Sequence, residues 1–217
     1  MRRFRNRTEA GQQLAKKLSA YANRTDVLVL GLPRGGVPVA YEVAVALNLP
    51  LDICLVRKLG APGNKELAMG AIGMGGVMVL NHDVVESLQV STQAIARVVA
   101  LEEKELERRD RAYRGERPFP DLQGLSIVLV DDGIATGATL RAAIATLRQQ
   151  QPARIIVAVP VAPLSTYNEL KAEVDEVVSL VTPERFYSIS VWYDQFDQTT
   201  DEEVRHLLLE RPSVISY

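Results

Sequence analysis

Cysteine is nearly absent from this chain of 217 residues: there is one, Cys54. A lone thiol closes no intramolecular disulfide and builds no thiolate cluster for a metal. Cys54, inside the apolar run LDICLV, is therefore expected to be a buried small hydrophobe in a reducing, cytoplasmic setting. An excess of one charge is missing too. With 25 Lys and Arg against 27 Asp and Glu the formal net charge is -2, which offers no general attraction to nucleic acid or an anionic bilayer. The locally basic start, MRRFRNR, is expected to be a solvated terminus and not a nucleic-acid contact. No apolar segment follows it, so neither a signal peptide nor an anchor is expected. Every apolar run falls short of the roughly 20 residues of a membrane helix. The phosphate-binding patterns GxxxxGK[ST] and GxGxxG are both missing, which disfavours the nucleotide-binding α/β proteins that use them.

What remains, 47% hydrophobic and 24% charged, is an ordinary globular composition, expected to form a single domain over 1–217. TEAGQQLAKKLSAYA puts Leu14, Leu18 and Tyr21 on one helical face. DVLVLGL is a continuously apolar strand ending in PRGG; VPVAYEVAVALNL follows as a helix with Pro38 in its first turn, where a missing N–H costs little. LDICLVRK reads as a second buried strand. Buried strands joined by helices argue for an α/β fold with a central parallel sheet flanked by helices. From Leu59 to about Asp121 the rhythm breaks. GAPGNKE is followed by AMGAIGMGGVMVLN, read as a hairpin turning at Gly75 and Gly76, with the Gly-rich GAPGNKELAMGAIGMGG loose enough to move, and Ser91 to Arg114 reads as a charged helix with a solvated face of i,i+4 pairs. The rhythm resumes with LSIVLV, a helix from Thr139 to Gln150, the strand RIIVAVPV, a helix over LSTYNELKAEV and the strand EVVSLV. YSISVWYDQF is expected to be extended, and Thr200 with Glu203 three positions on has the spacing of a capping box.

One stretch carries the chemistry: IVLVDDGIATGATL, Ile127 to Leu140. Ligands of open parallel sheets bind at the carboxyl ends of strands, where Asp131 and Asp132 are expected. Neighbouring strand residues point to opposite faces, so the two carboxylates can serve different hydroxyls of a vicinal diol. The turn Ala135, Thr136, Gly137, Ala138, Thr139 then enters a helix, whose N-terminal N–H groups and dipole favour a phosphate, with Gly137 allowing close approach. A sugar phosphate has both parts.

The run VLVDDGIATGAT resembles the PRPP-binding motif of type I phosphoribosyltransferases: hydrophobic residues, two acids, a Thr-Gly loop and a hydroxyl residue. The resemblance implies that family's fold, with a core over about 25–60 and 122–182, a mobile loop, hairpin and long helix over about 59–121, and a small C-terminal hood over about 183–217. It implies magnesium-dependent transfer of 5-phosphoribosyl from PRPP to a nitrogenous base or related acceptor, with diphosphate released. Catalysis would rest on Asp131, Asp132, Arg34 and Lys58. Residues 135–139 would hold the 5′-phosphate, while Arg34, Gly35 and Gly36 in LGLPRGG would hold the diphosphate. Lys58 is assigned as the basic residue ending the second strand. Phe186, Tyr187 and Trp192 would face the acceptor base, or else pack in the core or at a dimer interface. Where relatives using 6-oxopurines carry an acid before Thr-Gly this chain has Ala135, which weakens hypoxanthine and guanine as acceptors; Glu66 offers a carboxylate elsewhere, or is a solvated loop residue. The resemblance also implies Mg2+ as cofactor and a homodimer, without membrane or nucleic-acid partners. A regulator of the same fold, binding PRPP or a nucleotide without turnover, stays open as the alternative.

Overall fold

The computed structural model describes residues 3–210, with the side chains of Lys65 and Glu66 outside that description. The carboxylate considered at Glu66 and the last residues of the expected hood, 211–217, therefore lie outside the described residues. The chain divides into two compact units, the first made of Met1–Cys54, Leu122–Gly137 and Pro152–Tyr217, the second of Leu55–Asp121 and Ala138–Gln151.

The first unit is built on a parallel five-stranded sheet in the order β2-β1-β6-β7-β8, with β1 at Val27–Gly31, β2 at Leu51–Ile53, β6 at Ser126–Val130, β7 at Arg154–Val161 and β8 at Glu176–Val181. Every residue of β1, β2 and β6 is buried, Asp52 and Ser126 included, as strands covered on both faces require. Register sets Gly31 of β1 beside Val130 of β6, so the two strands end level with each other. Helix α1 (Arg7–Lys17) is capped by Asn6, whose Oδ1 accepts the Glu9 N–H at 3.0 Å. Helix α2 (Gly36–Leu47) has Pro38 in its first turn as expected and stops at Asn48, whose φ of 50° is left-handed. Helix α6 covers Leu164–Glu173 and α7 covers Asp201–Leu209.

The second unit holds an antiparallel sheet, β3 (Val56–Ala61), β4 (Asn64–Gly73) and β5 (Met78–Leu80), with helices α3 (His82–Ser87), α4 (Thr92–Arg114) and α5 (Ala138–Arg148). Leu59, Ala61, Met69 and Ile72 form its core, with Val98, Val99 and Ile95 of α4 packed on it. The charged helix begins where the sequence places it, with Ser91 Oγ accepting the Ala94 N–H, and Glu105 bonding both Arg108 and Arg109 on its outer face.

Four expectations are corrected. LDICLVRK is two strands in two sheets. The Cys54 N–H still reaches the Gly31 carbonyl at 3.0 Å, but β3 then pairs antiparallel with β4, and its burial alternates because one face is left partly open. GAPGNKE is the turn of the β3–β4 hairpin, with Gly63 at φ +80°, and not a separate loop. YSISVWYDQF is not extended throughout: Ile189–Trp192 forms a short 3-10 turn. The segment then pairs with the chain start, Phe4 N–H to the Trp192 carbonyl at 2.8 Å and Asp194 N–H to the Phe4 carbonyl at 2.9 Å. The basic start is more than a solvated terminus: Phe4, buried with Val161, Trp192 and Tyr193, anchors it to the fold by its apolar ring, while Arg3 and Arg5 beside it stay exposed. Met1 and Arg2 lie outside the described residues. Cys54 is buried as expected, and no described helix is long and apolar enough to cross a membrane.

Candidate functional site

Within the first unit, the level ends of β1 and β6 release two loops side by side. The loop after β1 folds back through Leu32 N–H to the Val130 carbonyl (2.9 Å) and Gly36 N–H to the Leu32 carbonyl (3.0 Å), with a cis peptide between Pro33 and Arg34. Its glycines touch the other loop directly. A Cβ on Gly35 would stand 2.0 Å from Asp132 Oδ2, and one on Gly36 would stand 2.7 Å from the Val130 carbonyl oxygen and 2.8 Å from Asp131 Cα. Only hydrogen at both Cα atoms lets the PRGG turn and the acidic pair share this space.

Asp132 is held by groups distant in sequence. Arg7, in the first turn of α1, donates from Nε to Oδ2 at 2.8 Å, with Nη2 in ion-pair contact with the same oxygen at 2.8 Å, and the Tyr193 hydroxyl donates to the Asp132 carbonyl at 2.6 Å. Arg7 is itself fixed: Nη1 donates to the Asp197 carbonyl at 2.7 Å and the guanidinium lies 4.0 Å over the Phe196 ring, which stacks on Tyr193. The Asp131 Oδ1 accepts the Asp132 N–H at 2.8 Å. Burial, followed by the charge of Asp132, pushes the Asp131 carboxyl well above the ordinary range; burial raises Asp132 as well, with Arg7 pulling the other way. The Tyr193 phenol is raised by burial and then by the Asp132 charge.

The Thr-Gly turn follows. Ile134 N–H bonds the Val161 carbonyl at 2.9 Å, the Thr166 hydroxyl donates to the Ala135 carbonyl at 3.3 Å, and Gly137 takes φ +73°, a conformation that favours glycine. Ala135, Thr136, Ala138 and Thr139 are exposed around the start of α5. A polar turn with exposed hydroxyls at a helix N-terminus suits an anion.

Among the described residues of this unit, Asp131, Asp132, Gly35 and Gly36 come together as the sequence suggests. Arg34 points its guanidinium to Asp201 Oδ1 at 3.6 Å, both side chains being well exposed. Lys58 is placed differently from the expectation. It lies within β3 of the second unit's antiparallel sheet, not at the end of a parallel strand, and lines a groove of about 410 Å³ with Ala71, Val79, Leu80 and Arg141. The three aromatics have three different settings: Phe186 is partly buried against the Phe4 cluster, Trp192 is buried inside it, and Tyr187 is 86% exposed. Sequence reasoning missed Arg7, which stands 125 positions from its partner and carries no local signal beyond the basic start.

The phosphoribosyl transferase domain family matches residues 4–196, a span that begins before Arg7 and includes both loops. This chain belongs to that family. It is 46% identical over 204 residues to proteins named "Putative phosphoribosyl transferase" in two strains of Mycobacterium tuberculosis, covering 94% of this chain and 46% of theirs. The chain thus spans about half the length of these curated relatives. Among solved structures it is similar to the protein TT1426 from Thermus thermophilus, with 43% identity and a TM-score of 0.86 over 98% of this chain and 100% of that one. The parallel sheet and its two strand-end loops are therefore the phosphoribosyl transferase architecture.

Proposed function

We propose that the chain transfers the 5-phosphoribosyl group of PRPP to a nitrogen of a nucleobase and releases diphosphate. One observation carries the reading: the glycine turn after β1 lies in direct contact with the acidic pair after β6, and that pair leads without interruption into the Thr-Gly turn. The arrangement offers a close-approach loop for a diphosphate, an acidic loop for ribose hydroxyls, and an anion cradle for the 5′-phosphate, in the order in which PRPP presents them. As diphosphate leaves, C1 takes on oxocarbenium-like character, and Arg34 is the cation of the glycine turn available to the departing diphosphate. Among the described residues no group of three His, Cys, Asp or Glu converges to cage a metal. Asp131 at the strand end would hold a magnesium brought with PRPP, and the ion would supply neutralisation of leaving-group charge. Phe186, partly buried beside the aromatic cluster, is the proposed stacking surface for the base. Ala135 in place of an acid points away from 6-oxopurines.

The test is diphosphate release from magnesium-PRPP against a panel of purine and pyrimidine bases, with Asp131→Asn as the blank. Release with one base, reduced on the order of 100-fold in the variant, is the expected result. PRPP binding without release across the panel would refute transfer to a nucleobase.

A further inference from the structure

Asp131 and Asp132 are neighbours in the motif but not equivalents in the fold. Asp132 is enclosed. Two Arg7 nitrogens sit at 2.8 Å on its Oδ2, the Cα of Gly35 faces the same oxygen with no room for a Cβ, and Tyr193 holds its carbonyl. The side chains of the ion pair are 13% and 11% exposed. Turning Asp132 toward a ligand would strand Arg7 as a buried cation without its counter-ion, a large cost. Asp131 is half-buried and has no ion-pair partner among the described residues.

We propose that Arg7 divides the work of the acidic pair: it binds Asp132 into the protein, so that Asp131 alone meets the ribose hydroxyls. Arg7 and Asp132 are then a positioning pair. They fix the backbone of the acidic loop through the Asp132 N–H that bonds Asp131 Oδ1, and they tie it to the aromatic tail through Phe196 and Tyr193. The charged and titratable groups facing one another here are Arg7 from α1, both aspartates after β6, and Tyr193 after the 3-10 turn. Arg7 spends its ion pair on Asp132, leaving the Asp131 carboxyl without an ion-pair partner of its own at the strand end. The inference rests on the PRPP reading.

The experiment measures magnesium-PRPP affinity by calorimetry for the wild type, for Asp131→Asn and for the double variant Arg7→Met/Asp132→Asn, which removes both buried charges together. Losing a charge-assisted hydrogen bond in Asp131→Asn should weaken binding by roughly 10- to 100-fold. Exchanging a buried ion pair for neutral groups of similar size should leave affinity within about threefold. A folded double variant that loses as much affinity as Asp131→Asn overturns the division. Should the double variant not fold, carboxyl-carbon NMR of the wild type decides: magnesium-PRPP is expected to shift Asp131 and spare Asp132, and equal shifts overturn the proposal. A wild type that binds no PRPP by calorimetry would instead remove the PRPP reading, and the ligand role of Asp131 with it.

Discussion

Gly35→Ala isolates the contact on which the site depends. Gly35 has φ -62° and ψ -28°, ordinary for alanine, so the substitution adds no backbone strain; in free space it would gain a few tenths of a kcal/mol by restricting the unfolded chain. The space is not free. The new methyl would lie 2.0 Å from Asp132 Oδ2, 2.8 Å from Cγ and 3.2 Å from Arg7 Nη2, and relief requires the carboxylate to retreat by more than about 1 Å. That movement stretches the 2.8 Å Nε hydrogen bond and the 2.8 Å Nη2 contact from Arg7 past hydrogen-bonding range. Breaking a buried pair outright costs about 3–5 kcal/mol; displacement with partial repacking puts the loss near 3 kcal/mol. For a chain of this size that lowers the unfolding midpoint by roughly 6–12 °C. Scanning calorimetry at neutral pH measures it. The same substitution in an Asp132→Ala background, where the obstructing oxygen is gone, should cost at least about 1 kcal/mol less. A midpoint within about 2 °C of wild type for Gly35→Ala would refute the close approach of the two loops.

Two further perturbations test other parts of the first unit. The Tyr21 phenol, donating to Glu176 Oε2 at 2.5 Å, is pushed up to about 12 by burial and then by that bond. Its native pKa exceeds its unfolded value near 10, so its stabilisation is complete below about pH 10 and is lost as pH rises toward 12; denaturant midpoints at pH 9 and 11 should fall less for Tyr21→Phe than for wild type, with Tyr193 supplying part of the slope that remains. Thr200 accepts the Glu203 N–H at 3.1 Å to start α7, and Thr200→Ala should cost about 1 kcal/mol, roughly 2–4 °C in thermal unfolding, whereas Thr200→Ser should recover most of it.

The strands of the parallel sheet were legible because burial on both faces leaves an unambiguous trace, a run such as IVLV or RIIVAVPV with no polar interruption. Helix starts were legible where a side-chain cap announces them, at Ser91 and Thr200. The break inside LDICLVRK was harder: both halves have strand composition, and only the passage from full burial in β2 to alternation in β3 separates them. The 3-10 turn at Ile189–Trp192 follows from docking against Phe4, a partner far away along the chain. Lys58 looked like a strand-end cation only because the strand was drawn too long.

The local chemistry of the acidic loop was fixed by composition and order. Two adjacent carboxylates after a buried strand, then Thr-Gly before a helix, can be read without coordinates because strand alternation and the anion affinity of a helix start are properties of the backbone itself. Tertiary structure decided how the two acids differ. Arg7 reaches Asp132 across 125 positions, Tyr193 and Phe196 fix the geometry, and Gly35 matters because of the oxygen beside it and not because of its own dihedrals. Electrostatic pairing and close packing act through space, and a linear pattern records residue types without recording which distant groups exclude water from them.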